Sequence, residues 1–334
     1  MAAALLLVAT CAGALQLPPV STELTSALNQ PSGADVDWSN TFRTLAASPA
    51  FASTIWEQRP LHVANAGPKG RSVSVKLHSG KVKAACKAGL LEHTGANIFT
   101  LAGGRTFSSP PDTRALKAQG AAIRPRELKR RLAQGSTLSL NRAGAVFPAA
   151  AVLVAAAARA FRLPTVANAY MTRAGVPSAL PPHNDRQSVL IVQLEGRKVW
   201  RTWPAAVANP LQEQIRGKGR DELDRAALGE PSMTVTLSAG DLLYVPRGYI
   251  HATATPASDE GGGGGGGAAA HSLHLTIGLE TETVLGTWNR AVLCAAALAS
   301  NDGGEKVQVT TEQCIPVPLA ITHCARPLTP NASL

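Results

Sequence analysis

The chain has no C-x-x-C pair, few aromatic residues (4%), and no apolar run long enough to span a bilayer. Its five cysteines, Cys11, Cys86, Cys294, Cys314 and Cys324, are odd in number and scattered. That excludes a zinc knuckle and a disulfide framework. Only an oxidising compartment would allow Cys314 and Cys324 to pair. Charged residues are scarce at 16% against 45% hydrophobic, which excludes a disordered chain and predicts a globular one. The 32 Lys+Arg exceed the 22 Asp+Glu, giving +10, so acidic partners are favoured. No basic motif is interleaved with aromatics, so direct nucleic-acid recognition is not expected. The apolar start "MAAALLLVATCAGALQL" is too short for a membrane span and lacks a basic n-region. With Ala12-Gly13-Ala14 it reads either as a signal or organelle-targeting leader over residues 1–15 or as an uncleaved Ala-rich terminus. "NAS" at Asn331 is a glycosylation acceptor only if the chain is secreted.

What is present falls into four stretches: the leader (1–15), a lead-in of helices and short strands (16–140), a strand-rich unit (141–280), and a C-terminal helix with an irregular tail (281–334). In the lead-in, Val36–Trp56 reads as helical through Trp38, Phe42, Leu45, Phe51 and Ile55. "RPLHVANAG" is a short strand and turn, and Ser72 to Thr106 suits strands broken by glycine. "PRELKRRLAQG" is a basic helix with Pro at its start and Gly at its end, its charges a solvated face. "AAAVLVAAAARAF" is a buried helix stopped before Pro164. From Val166, "VANAYMT", "SVLIVQLEG", "RKVWRTW", "SMTVTLSAG", "DLLYVP", "HATATP" and "HSLHLTIGL" follow as short strands with Gly and Pro punctuation, which predicts a mainly β jelly roll. The poly-Gly run Gly261–Gly267 is a loop expansion.

Chemistry concentrates in "LPPHNDRQSVLIVQLEGRKVW" and "GDLLYVPRGYIHATAT". His183 and Asp185 alone are more often polar turn residues than ligands. His251, placed after a later strand of the same unit, completes a 2-His-1-carboxylate set. That set suits non-haem Fe(II) with oxygen chemistry, with zinc as the competing metal. Glu195-Gly196-Arg197 reads as a hairpin. Alternation then puts Lys198, Trp200 and Thr202 on one face of the returning strand. An inward Lys198 needs an anion such as a dicarboxylate; from the residues alone, a stem reaching solvent is the more ordinary outcome. On the last strand Ser272, His274 and Thr276 share a polar face suited to a lined cavity. His274 is a rival third ligand, though a supporting hydrogen-bonding role suits it better. His62, His78, His93, His271 and His323 have no matching context.

These same residues carry a resemblance. "VANAYMTRAGVPSALPPHNDRQSVLIVQLEGRKVWRTW", "GDLLYVPRGYIHATAT" and "SLHLTIGL", with "IWEQRPLHV" earlier, resemble the JmjC-type ribosomal oxygenases of the cupin superfamily over roughly Phe51 to Leu279. The resemblance implies a double-stranded β-helix with flanking helices, Fe(II) as metal, and 2-oxoglutarate and O₂ as co-substrates. It implies His183, Asp185 and His251 as iron ligands and Lys198 as anchor for the far carboxylate of 2-oxoglutarate. Asn168, Tyr170, Ser272 and Thr276 fall where the family's pocket is lined. The implied substrate is a protein, either a ribosomal-protein His or Arg for hydroxylation or a histone lysine for demethylation. The implied location is nucleus, nucleolus or cytoplasm, against which the leader raises secretory or organelle targeting. Asn184 and Arg186-Gln187-Ser188 depart from the family pattern and are expected to flank the substrate side. The stretch after Leu279 is short for the family's dimerisation and winged-helix regions, so homodimerisation stays open. Two other readings also stay open: a metal-binding cupin acting on a small molecule, and a non-catalytic binding module.

Overall fold

The computed structural model describes residues 38–67, 77–102, 105–108, 119–177, 180–205, 207–210, 214–218, 221, 223–224, 226–257 and 271–281. The leader, the poly-Gly run, Asn331, the C-terminal helix expected after Leu279, and Cys11, Cys294, Cys314 and Cys324 lie outside them. Cys86 is buried and free. No helix among the described residues is long and apolar enough to cross a membrane.

The N-terminal helix predicted over Val36–Trp56 is split. α1 (Trp38–Ala47) buries Trp38, Thr41, Phe42 and Leu45, a helical stripe, and α2 (Pro49–Thr54) follows immediately. The break is Ser48, whose extended backbone and side chain cap α2 by accepting from the Phe51 amide at 3.2 Å. Pro49 at the first helical position fixes the new direction. β1 (Leu61–Val63) comes next. Residues 72–76, most of the first strand expected from Ser72 onward, lie outside the described residues, and its end at Ser79-Gly80 belongs to α3 (Ser79–Lys87). There Val82, Ala85 and Cys86 are buried at helical spacing, and no alternation supports a strand. β2 (Ala96–Ala102) and β3 (Arg105–Ser108) do form, followed by α4 (Pro125–Ala133), β4 (Thr137–Leu140) and α5 (Pro148–Phe161). The basic α4 is not wholly solvated, because Arg131 is buried with Leu128 and Leu132.

The remaining strands are β5 (Thr165–Arg173), β6 (Leu180–His183), β7 (Ser188–Glu195), β8 (Arg197–Trp203), β9 (Met233–Ser238), β10 (Leu242–Val245), β11 (Ile250–Ala254) and β12 (His271–Leu279). They pack as two sheets of antiparallel pairs. The larger has the order β1-β10-β7-β12-β5-β4-β2-β3, the smaller β6-β11-β8-β9. This is the jelly roll of a double-stranded β-helix with helices on one side. The lead-in does more than pack on it, since β1, β2, β3 and β4 are strands of the larger sheet.

Glu195-Gly196-Arg197 is not a hairpin but a corner, because β7 and β8 lie in different sheets. Gly196 makes the turn with φ 64°, and a Cβ there would run into the His271 carbonyl.

Alternation divides the larger sheet into two faces. Ala167, Ala169 and Met171 on β5 and Leu273, Leu275 and Ile277 on β12 face the helices and join the main core. Their alternate neighbours face the smaller sheet. A ring cluster fastens the lead-in to this core. Phe51 meets Tyr244 of β10 edge-on at 5.2 Å, and Trp56 stacks on both Tyr244 (5.7 Å) and Phe161 of α5 (6.0 Å). Phe51→Ala is expected to cost about 3–5 kcal/mol of stability, read as a lower urea midpoint. An unchanged midpoint would place the lead-in outside the cooperative unit.

Candidate metal centre

β6 ends on His183, and β11 sets His251 opposite it in the antiparallel register. The two rings face each other at 4.3 Å between centroids. β6 is short, contains two prolines and has β11 as its one neighbour, the edge position where proline is tolerated. The His183 Nδ1–H donates to the Pro181 carbonyl at 2.8 Å, and the His251 Nδ1–H to the Tyr249 carbonyl at 3.1 Å. A carbonyl can only accept, so both neutral imidazoles are fixed as the tautomer with its lone pair on Nε2. Asp185 Oδ2 lies 3.5 Å from His251 Nε2. One ligand atom from each of His183, Asp185 and His251 lies within 4.8 Å of the others.

The electrostatics hold these groups ready for a cation. Burial, aided by His251 and Lys218, pulls His183 down to about 3. Burial likewise lowers His251, against the pull of Asp185. Burial would raise Asp185, but Lys218 and then the two imidazoles hold its carboxyl well below the usual range. At neutral pH the centre therefore offers two neutral nitrogens and one carboxylate, a donor set that fits a divalent metal with open positions. The backbone keeps the carboxylate in place, since the Gly248 amide donates to the Asp185 carbonyl at 2.8 Å.

Lys198 turns inward from β8 and is 1% exposed. Its ammonium donates to the hydroxyls of Thr172 and Thr255, each at 2.9 Å. Neither is an anion, and burial pulls the lysine down to about 7. Lys198 shares one cavity with all three ligand candidates and with Tyr170, Trp200, Thr253, His274 and Thr276. Trp200 Nε1, Thr253 Oγ1 and His274 Nδ1 are buried there without a hydrogen-bond partner among the described residues. Unmet polar groups beside a buried ammonium fit a small anion.

The other pocket candidates divide. Tyr170 and Thr276 line the cavity, with Tyr170 stacked on His274 at 5.1 Å. Asn168 and Ser272 are not among its lining residues, although both lie on the predicted face. Asn168 Oδ1 accepts from the Arg142 amide at 3.0 Å, holding a left-handed residue in place, and Ser272 Oγ accepts from Gln193 at 2.9 Å. His274 stands outside the ligand cluster, against Tyr170 and Trp200.

Nor do Asn184 and Arg186-Gln187-Ser188 form an open substrate flank. Asn184 is buried, and its side-chain oxygen accepts from the Arg216 amide at 2.7 Å. Its own amide donates to the Arg216 carbonyl at 3.3 Å. Arg186 and Gln187 both engage Glu280, and Ser188 accepts from the Arg247 amide at 3.2 Å. Sequence reasoning missed Thr172, Thr255 and Lys218. Alternation along β5 carried a signal for Thr172, which follows Asn168 and Tyr170 on one face. Lys218, whose ammonium bonds to Asp185 Oδ1, belongs to a charged insertion with no periodicity to read.

The chain is similar to known proteins over part of its length. Residues 149–285 match the JmjC domain family. The matched stretch is less than half of the chain. It holds β5 through β12, and so every residue of the triad together with Lys198. The chain is 38% identical over 136 residues to the bifunctional lysine-specific demethylase and histidyl-hydroxylase NO66 of Dictyostelium discoideum, covering 41% of this chain and 24% of that one. To ribosomal oxygenase 2 of Rattus norvegicus it is 43% identical over 110 residues, 33% of this chain and 20% of the relative. The matched stretch is thus under a quarter of the length of these relatives. Among solved structures, YcfD, a ribosomal oxygenase from Escherichia coli in complex with cobalt and 2-oxoglutarate, superposes with TM-score 0.45 at 16% identity over 78% of this chain and 59% of that one.

Cobalt(II) titration followed by visible absorbance should separate ligands from bystanders. His183→Ala and His251→Ala are each expected to weaken binding at least a hundredfold, and His274→Ala less than about tenfold. Equal losses at all three would move the centre.

Proposed function

We propose that the chain is an Fe(II)- and 2-oxoglutarate-dependent oxygenase that hydroxylates a protein side chain, a His or Arg of a ribosomal protein. One observation carries this reading. The triad of His183, Asp185 and His251 shares a cavity with a buried lysine whose partners among the described residues are two hydroxyls. Bound Fe(II) and 2-oxoglutarate would supply the oxidation, one oxygen atom of O₂ going to a substrate C–H and the other to succinate as CO₂ is lost. His183, Asp185 and His251 would hold the metal. Lys198 would take the far carboxylate of the co-substrate, with Thr172 and Thr255 fixing its ammonium. Tyr170, Trp200 and His274 form the walls that keep water from the inner end. The name of the rat relative, ribosomal oxygenase 2, supports a ribosomal substrate, and with such a substrate the protein would act in the nucleus or cytoplasm. A second reading, histone lysine demethylation, rests on the Dictyostelium relative's name. A small-molecule cupin would leave Lys198 without its reason.

Succinate formation from 2-oxoglutarate with Fe(II) added tests the reading. The parent protein is expected to turn over, and His183→Ala and Lys198→Ala to lose at least about 95% of that rate; equal turnover in all three would sink the assignment. In the product, hydroxylation adds the mass of one oxygen atom, whereas demethylation removes a methylene.

The lysine also sets a pH dependence. Its free value is about 7, and an anion binds the charged form. Affinity of the cobalt-loaded protein for 2-oxoglutarate should be full below about pH 7 and fall by up to roughly tenfold per pH unit above it. Calorimetry checks this, and a flat profile to about pH 9 would place the carboxylate elsewhere.

A further inference from the structure

Asp185 presents its two oxygens in two directions. Oδ2 faces His251 Nε2 at 3.5 Å, on the side where a metal would join the imidazoles, while Oδ1 bonds to the ammonium of Lys218. A cation on Oδ2 therefore need not displace Lys218.

The segment carrying Lys218 is held against the site. Asn184 and Arg216 exchange two hydrogen bonds, and the Gly217 amide donates to Asp221 at 2.7 Å. Gly217 has φ 74° and lies so close that a Cβ would strike the Pro182 carbonyl and the His183 Cα. Lys218 is thus placed by backbone contacts with the ligand-bearing strand, and it lines the same cavity as the triad with its side chain 45% exposed.

Apart from Lys198 at the inner end, the neighbouring cations have acids of their own among the described residues: Arg216 pairs with Asp221, and Arg186 with Glu280. Lys218 pairs with Asp185, the carboxylate a metal would also use. The far carboxylate of the co-substrate would be matched by Lys198, so Asp185 and the near carboxylate would face a divalent cation and the Lys218 ammonium, and one positive charge would be left over at the outer end of the cavity.

We propose that Lys218 makes this centre accept a neutral or acidic target side chain and turn away a cationic one, whether guanidinium or methylated ammonium. The proposal rests on the oxygenase reading and deepens it. Among the targets named above it favours a neutral histidine over arginine or methyl-lysine. At contact range through a partly solvated site, the repulsion is worth about tenfold to a hundredfold in affinity.

Substrate-free probes test this with the full chain, loaded with Mn(II) and 2-oxoglutarate. The probes are N-acetyl-citrulline amide and N-acetyl-arginine amide, equal in length and different in charge. Paramagnetic broadening of their proton signals reports approach to the metal. In the parent protein the citrulline probe should bind at least about tenfold more tightly than the arginine probe. Lys218→Met, which keeps the stem and removes the charge, should bring the two within about twofold. Equal broadening of both probes in the parent, at any level, overturns the proposal, as does a gap unchanged in Lys218→Met. Succinate formation without probe separates this from the parent reading. No succinate with the probe contrast intact sinks the oxygenase and leaves charge selection standing; succinate without the contrast sinks charge selection alone.

Discussion

A lysine ammonium inside a β-sandwich is the constraint around which the rest is arranged. Lys198 starts on the smaller sheet and reaches Thr172 on the larger, so its side chain bridges the interior at the point where two apolar faces would otherwise meet. An unpaired ammonium in that setting is costly. Its neighbours reduce the cost without removing it: two hydroxyls accept, and the proton is held loosely, with the pKa drawn to about 7. The cavity persists because polar groups line it. Val189, Ile191, Trp200, Leu237 and Leu243 close an apolar cluster next to it, which keeps the space dry on that side.

The ligands are held from outside as firmly as from within. Tyr244 receives the Phe51 and Trp56 rings, and its hydroxyl accepts from the Glu57 amide at 3.0 Å. A few residues on, Arg247 pairs with Glu57 at 2.8 Å and the Tyr249 hydroxyl donates to the Gln58 carbonyl at 2.7 Å. Residues 51–58 thus clamp the turn that leads into His251. The same turn reaches across to the other ligand strand through the Gly248 and Arg247 amides. A lead-in far away in sequence therefore fixes the spacing of His251 from Asp185, and a loss there would be felt as a loss of geometry at the metal.

Much of the β unit could be read from the sequence because both signals it uses are local. Alternation put Lys198 and Trp200 on one face of β8, which the resemblance and not the residues alone turned inward, and it separated Leu273, Leu275 and Ile277 from Ser272, His274 and Thr276. What alternation cannot report is which inward groups meet the cavity and which are spent on neighbours. Ser272 and Asn168 point the right way, yet Gln193 and the Arg142 amide claim them. The corner at Gly196 looked like a hairpin because a tight turn between two strands carries no record of which sheet each strand joins. α3 was hidden for a related reason: its short apolar stripe is interrupted by lysines, and glycine stands at its second position. Lys218 was beyond reach altogether, since its place depends on Asn184 and Gly217, two contacts that no pattern along the chain encodes.

The two lysines of the site make different use of the same functional group. Lys218, half in solvent, keeps its charge because a carboxylate neutralises it. Lys198 has no such partner and survives burial because an ammonium can give up its proton near neutrality. An arginine at 198 could not do so, for a guanidinium stays charged at any pH a protein meets. Its fork would remain an uncompensated buried charge until an anion arrived, and the sandwich would open to let water reach it. A lysine lets the pocket exist with or without its anion, and the proton it regains on binding becomes part of the recognition. The inner end of the cavity is thereby tuned to capture an anion and the outer end to repel a cation. One side chain type achieves both because the two environments differ in depth and in whether a carboxylate stands beside the ammonium.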